Sequence, residues 1–219
     1  MGGWVSIMQE APEWRTKASV AEAEAYTKRK KRKHAAEMRL IGKALAPLAD
    51  VGSFLDAPCG AGRATILLEK HGYKTTGVDL GDGAIEVARR EIARHGLNSD
   101  IEKANLEHLP FQDKSFDAVL CFRFFHHLPT PEIRERIVAE LCRVASRYVL
   151  ISYFSPFSVT SIKRSLRQRL GGKPSHQFRT PLQEVRHYFT PHGFRLLRDY
   201  PQRRFIHTLH LAVFERKQA

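Results

Sequence analysis

The sequence predicts an α/β fold, a mostly parallel β-sheet with helices on both faces. Three observations carry that expectation. Between residues 53 and 154, short apolar runs alternate with helical patterns at the spacing of βαβ units. The first run, Phe54-Leu55-Asp56, empties into Ala57-Pro58-Cys59-Gly60-Ala61-Gly62, a loop with Gly-x-Gly spacing that opens a helix. The chain then closes on two strand-like runs, 194–200 and 207–215, joined by a short link and therefore read as an antiparallel pair at the sheet edge.

Taken in order, residues 1–19 carry little pattern and are expected to form a mobile tail. Residues 20–48 are Ala-rich, lack glycine until Gly42 and end before Pro47, which predicts an N-terminal helix or lid. The run Lys28-Arg29-Lys30-Lys31-Arg32-Lys33 within it reads as a solvated face or a phosphate- or lipid-facing patch. Strands are expected at 53–57, 75–79, 101–104, 116–122 and 147–154, and helices at 62–71 and 82–95. Thr130-Pro131 reads as N-cap and first residue of a helix reaching Val144. After Phe154 the rhythm breaks into an insertion at 155–180 with Pro156, Gly171-Gly172 and Pro174, and one helical piece near 162–170. Thr180-Pro181-Leu182-Gln183 resembles a capping box that starts a helix to about Phe189. Residues 49–219 are thus expected to form one domain.

With 219 residues and 42% apolar composition, the chain can bury a sizeable core. No apolar run approaches the ~20 residues of a membrane span, and residues 1–19 lack the apolar segment of a secretory signal. Cys59, Cys121 and Cys142 lie far apart with no zinc spacing, so reduced thiols in a cytoplasmic protein are expected, without metal or disulfide. The formal charge of +13 implies attraction to polyanions, phosphorylated substrates or an anionic membrane face.

Asp79 ends the second strand 17 residues after Gly62, where a carboxylate can accept both ribose hydroxyls of a nucleotide lying over the first loop. A dinucleotide fits less well. Thr65 replaces the third glycine of Gly-x-Gly-x-x-Gly, and Asp56 sets a negative charge near the place of a pyrophosphate. With Val78-Asp79-Leu80, the Leu109-Pro110-Phe111…Ser115-Phe116-Asp117 run and Phe122-Arg123-Phe124-Phe125-His126-His127-Leu128, the chain over 53–154 resembles the class I S-adenosylmethionine-dependent methyltransferases, nearest the ubiquinone/menaquinone-type branch.

The resemblance implies a Rossmann-like, seven-stranded sheet ending in an antiparallel hairpin. It implies that Asp56 holds the cofactor's cationic amino group and that Gly60 and Gly62 let backbone approach it. Asp79 would take the ribose hydroxyls, Leu80 would pack on adenine, and Asn105, where the family usually has Asp, would meet the exocyclic amine. The backbone of Leu106 would read a ring nitrogen, and Ala57, Cys59 and Phe122 complete the cofactor contacts. Pro58 stands where the family usually has Gly.

Methyl transfer from a sulfonium needs alignment, exclusion of water and, for a protonated nucleophile, a base. His127, then His126, are the base or acceptor-lining candidates, against a packing role; Arg123 holds an anionic acceptor group or pairs with an acid. From Leu141 through Gln183 there is no Asp or Glu, while Arg164, Arg167, Arg169 and Arg179 stand among eight basic residues. Arginine forks suit phosphate or carboxylate, so a small or lipid-like anionic acceptor is expected, with Phe154, Phe157 and Phe178 lining its apolar part and contact with an anionic membrane surface as a corollary. An RNA methyltransferase and a non-catalytic S-adenosylmethionine-binding protein are the rival readings.

Overall fold

A computed structural model describes residues 20–21, 31–169, 171, 177–203 and 205–217. The expected tail and the first half of the basic run, Lys28 to Lys30, lie outside the described residues. Seven strands form one sheet: β1 (Ser53–Asp56), β2 (Lys74–Asp79), β3 (Asp100–Lys103), β4 (Phe116–Cys121), β5 (Ala145–Phe154), β6 (Phe194–Pro201) and β7 (Leu209–Arg216), in the order β3-β2-β1-β4-β5-β7-β6. Strands β1 to β5 pair in parallel, and β7 inserts antiparallel between β5 and β6. The helices are α1 (Lys31–Leu45), α2 (Arg63–Lys70), α3 (Asp82–Arg94), α4 (Pro131–Val144), α5 (Val159–Arg169) and α6 (Leu182–Phe189).

The sheet is covered on both faces, which is why its central strands read as unbroken apolar runs; Ala118, Val119, Leu120 and Cys121 of β4 are all buried. On one side α4 and α6 pack through Val138, Leu141, Val185 and Phe189 against Leu55, Val119, Val149 and Phe214. On the other, α1 and α2 pack through Ile41, Leu45 and Leu68 against Phe54, Leu120, Leu150 and Val213. At the foot of the sheet, Asp117 accepts the Gly52 and Ser53 N–H groups, both at 2.9 Å, and locks β4 to the entry of β1. The strand order reverses between β1 and β4, so a crevice opens at the carboxyl ends of those two strands.

Two helix starts differ from the sequence expectation and one agrees. Thr130 caps α4 as predicted, its hydroxyl accepting from Ile133 N–H at 3.4 Å. Thr180 does not cap α6. Its N–H is committed to the Phe154 carbonyl at the end of β5, 2.8 Å away, and its buried hydroxyl makes no hydrogen bond. The helix therefore begins at Leu182, after Pro181. Helix α5 begins a turn earlier than periodicity suggested, because Ser158 accepts the Ser161 N–H in the manner of an N-cap.

Gly77, in the middle of β2, marks the tightest approach behind the first loop. A β-carbon there would stand 2.6 Å from Ile101 Cδ1 and 3.0 Å from Cys59 Cβ. Ile101 can turn its terminal methyl away, but Cys59 is held by its own N–H to Val78 O at 2.8 Å. Gly77→Ala is expected to destabilise the fold by about 1–3 kcal/mol through overpacking, read as a lowered melting temperature and a displaced loop.

Candidate active site

The crevice is a cleft with about 950 Å³ of non-protein space, counting the solvent at its mouth, a size that suits a nucleoside-sized ligand. Its floor is the first loop. Strand β1 delivers Asp56 fully buried, and its Oδ2 accepts the Thr65 hydroxyl at 2.7 Å. The other oxygen, Oδ1, is buried with no hydrogen-bond partner. Burial pushes the Asp56 carboxyl up to about 7, and the Thr65 hydrogen bonds pull it back only in part. A partnerless carboxylate oxygen at the end of a strand, facing a cleft, is suited to receive a cationic group.

Asp79 closes the far side of the loop. Its two oxygens accept the Gly60 N–H at 2.9 Å and the Gly81 N–H at 3.0 Å. Each oxygen keeps a further lone pair for a hydroxyl donor. Gly60 takes φ 56°, which points its N–H at Asp79 and leaves the loop wall bare. Gly62 serves a different purpose from the one expected. It lies off the cleft, at φ 75°, and a side chain there would come within 3.3 Å of Ala88 Cβ, so its role is the close crossing of α2 and α3.

Eight of the ten expected cofactor residues line the cleft: Asp56, Cys59, Gly60, Asp79, Leu80, Asn105, Leu106 and Phe122. Ala57 does not; it is buried, with its N–H on Leu120 O at 2.9 Å. Asn105 turns its side-chain oxygen to the Glu107 N–H at 3.0 Å, which fixes the turn after β3 and leaves the second lone pair. Cys59, Cys121 and Cys142 are buried, and none is in a disulfide.

The expected catalytic group divides. Arg123 lines the cleft, held at φ 63° by its N–H on Ser152 Oγ, 2.6 Å away, with its guanidinium 5.2 Å from the Phe154 ring centroid. His126 and His127 sit in the 3₁₀ turn Phe125–His127 and are not among the lining residues. His126 is wholly buried, stacked on Phe154 at 3.8 Å on one side and against His127 at 4.1 Å on the other. Its local role is to pack the wall behind Arg123. Of the expected acceptor residues, Phe154 belongs to that stack, and Arg179 donates to Ser161 O at 2.9 Å, tying down α5. Arg167 and Phe157 are exposed on the outer surface, and the side chains of Arg164 and Arg169 lie outside the described residues.

The sequence led to the expectation of a helix or lid over 20–48 but not to the residues by which it meets the site. Helix α1 lays Met38 over the cleft and buries Glu37 completely. Glu37 Oε2 stands 3.2 Å from an Arg63 guanidinium nitrogen, and Oε1 stands 3.6 Å from Arg123 Nε. Arg63 also meets the His34 ring at 3.1 Å. One carboxylate thus joins the roof to both walls. The signal was there to find: Glu37 is the sole acid in a fifteen-residue helix rich in Lys and Arg, and Arg63 directly follows the Gly-x-Gly loop.

Residues 54–147 match a family model described as a methyltransferase domain. A ubiquinone biosynthesis O-methyltransferase of Nitrosospira multiformis is 33% identical over 90 residues, 41% of this chain and 38% of the relative. One of Coxiella burnetii is 33% identical over 78 residues, 36% of this chain and 33% of the relative. The chain thus spans well under half the length of the curated relatives it matches. Among solved structures, the magnesium protoporphyrin IX methyltransferase of Synechocystis with bound SAH superposes with a TM-score of 0.69 at 18% identity, over 85% of this chain and 87% of that one. A Pyrococcus horikoshii protein gives 0.71 at 20% identity, over 89% and 99%. Over residues 54–147 the chain is thus similar to the methyltransferase-domain family, and the solved structures share its fold.

Proposed function

We propose that the chain transfers a methyl group from S-adenosylmethionine to a small or amphiphilic, anionic acceptor. The observation that carries this is the pairing of Asp56 and Asp79 at the two ends of one loop, the first with a buried oxygen lacking any partner and the second with its lone pairs turned to the cleft. Those residues fit the cofactor. Asp56 would receive the amino group, Asp79 the ribose hydroxyls, and Leu80, Asn105 and Leu106 the base. When bound, S-adenosylmethionine supplies a sulfonium methyl group open to in-line displacement.

The protein's part is then alignment and dryness. Phe122, Phe124 and Met38 exclude water from the cleft, and Gly60 keeps the loop wall low enough for close approach. Arg123 carries a fixed positive charge at the side where an acceptor enters, steadied by Glu37 and Phe154. Within this reading His127 is the candidate base for a protonated acceptor, with His126 packed against it at 4.1 Å. The reaction and its acceptor suit a cytoplasmic protein working at a membrane surface; no helix among the described residues is long and apolar enough to cross a membrane.

The test is calorimetric titration with S-adenosylmethionine, followed by transfer of labelled methyl groups into fractionated lysate. Micromolar binding and label in the lipid or small-molecule fraction are expected. Asp79→Ala is expected to weaken binding about 50- to 100-fold, since it removes charged acceptors and leaves the Gly60 N–H unsatisfied. Label in RNA would favour the nucleic-acid reading, and binding without transfer a non-catalytic one.

A further inference from the structure

We infer that the outer face formed by α5 and the β6–β7 turn docks on an anionic lipid bilayer. Helix α5 is built the wrong way round for a helix that serves only the core. Among its described side chains the buried one is Ser161, with its hydroxyl on Ser155 O at 2.7 Å. Its apolar residues, Val159, Ile162 and Leu166, follow one helical face at spacings of three and four and point to solvent; Ile162 is 64% and Leu166 58% exposed. Phe157, just before the helix, is 76% exposed.

A second segment joins the same face. Val159 N–H donates to Phe205 O at 2.9 Å and Thr160 N–H to Ile206 O at 3.2 Å, which fastens the β6–β7 turn to the start of α5. Phe205, 70% exposed, and Ile206 therefore extend the apolar surface. Among the described residues, six of the eight large hydrophobic side chains that stand exposed lie on or just before these two segments; of the others, Phe178 lies against Arg134 and Leu197 is on β6.

Charge selects the occupant. Lys163, Arg167 and Arg203 rim the patch, all exposed. The sequence has no Asp or Glu from 141 to 183 or from 200 to 214. A second copy of the chain would set the same basic rim against itself, which opposes association of two +13 molecules. Four of the patch's six apolar side chains, Val159, Ile162, Leu166 and Ile206, are aliphatic and offer nucleotide bases nothing to stack on. An apolar strip framed by basic residues matches the boundary of headgroup and acyl chain in an anionic leaflet, where apolar burial and charge attraction act together. The face adjoins the acceptor side of the cleft, because Phe178 N–H bonds His126 O at 2.8 Å and Arg179 bonds α5. Resting on the proposed reaction only for this last point, docking would bring an amphiphilic acceptor from the bilayer to the cleft.

The experiment is co-sedimentation of the full chain with phosphatidylcholine vesicles containing about 30% phosphatidylglycerol, and with phosphatidylcholine alone. Binding to the anionic vesicles, at least about 10-fold weaker to neutral ones, is expected. Ile162→Glu and Leu166→Glu should each weaken it about 10-fold or more, with unchanged melting temperatures because both side chains are exposed. Leu197→Glu should leave it unchanged. Wild-type protein that stays in the supernatant overturns the inference. So does vesicle binding indifferent to Ile162→Glu and Leu166→Glu, or a wild-type dimer in light scattering that Leu166→Glu dissolves. Calorimetry with S-adenosylmethionine on the same preparations reads the proposed reaction separately, since none of these substitutions touches the cleft.

Discussion

Asp56→Asn is expected to abolish the pH dependence of S-adenosylmethionine binding. In the wild-type protein the Asp56 carboxyl, pushed up to about 7 by burial, is largely protonated at pH 6 and ionised at pH 8. An ammonium group needs the ionised form. Apparent affinity should therefore climb about tenfold per pH unit below 7 and level off above it. Binding at pH 6 should release a proton, seen as a calorimetric enthalpy that varies with the buffer's ionisation heat. In Asp56→Asn affinity should be flat with pH and, at pH 8, about 30- to 100-fold weaker, the loss of a charge-assisted hydrogen bond. Equal slopes in the two proteins would remove Asp56 from the amino-group site.

The same substitution has the opposite effect on the free protein. A carboxyl whose folded value of about 7 exceeds its ordinary 3.8 stabilises the fold fully below about pH 3.8, and that contribution fades as pH rises through 7. The difference amounts to about 4 kcal/mol at its limit. Asp56→Asn removes the charge that must be buried, so its melting temperature relative to wild type should rise from pH 5 to about pH 7 and level off above it. A site that weakens the empty protein and strengthens the loaded one is what a ligand-directed carboxylate produces.

Glu37→Ala is the second large effect. It leaves the Arg63 and Arg123 guanidiniums, both mostly buried, facing each other across the cleft without their shared carboxylate. Removing one member of a buried ionic group costs about 3–5 kcal/mol, which for a chain of this size lowers the melting temperature by roughly 10 °C. Glu37→Gln keeps the shape and one acceptor and should cost less. The double substitution Glu37→Ala/Arg123→Leu should recover part of the loss, a coupling of about 1 kcal/mol or more. Purely additive losses would mean that Arg123 is held by its Ser152 and Phe154 contacts alone. Because Met38 follows Glu37 and roofs the cleft, Glu37→Ala should also weaken cofactor binding.

The strands of the parallel sheet, the hairpin at its edge and most of the cofactor loop were legible because their signals are local. A buried strand is an apolar run, a Gly-x-Gly turn needs its residues adjacent, and Thr130-Pro131 sets a helix start within four residues. The Thr180 start failed because the competing partner of its N–H, the Phe154 carbonyl, lies 26 residues back in sequence. For His126 the sequence left both a base and a packing role open; its stack against Phe154, 28 residues on in β5, is a contact that sequence neighbours cannot reveal.

By itself, then, the sequence determined the sheet, its order of elements and the two carboxylates at the ends of β1 and β2, since each follows from patterns a few residues long. Only the tertiary structure decided what closes the site and what faces outward. Glu37 meets Arg63 and Arg123 across 26 and 86 positions of chain, and α5 turns its apolar side to solvent while buried Ser161 holds its other side to Ser155. Ion pairs and burial are properties of positions in space, and chain distance carries almost no information about them.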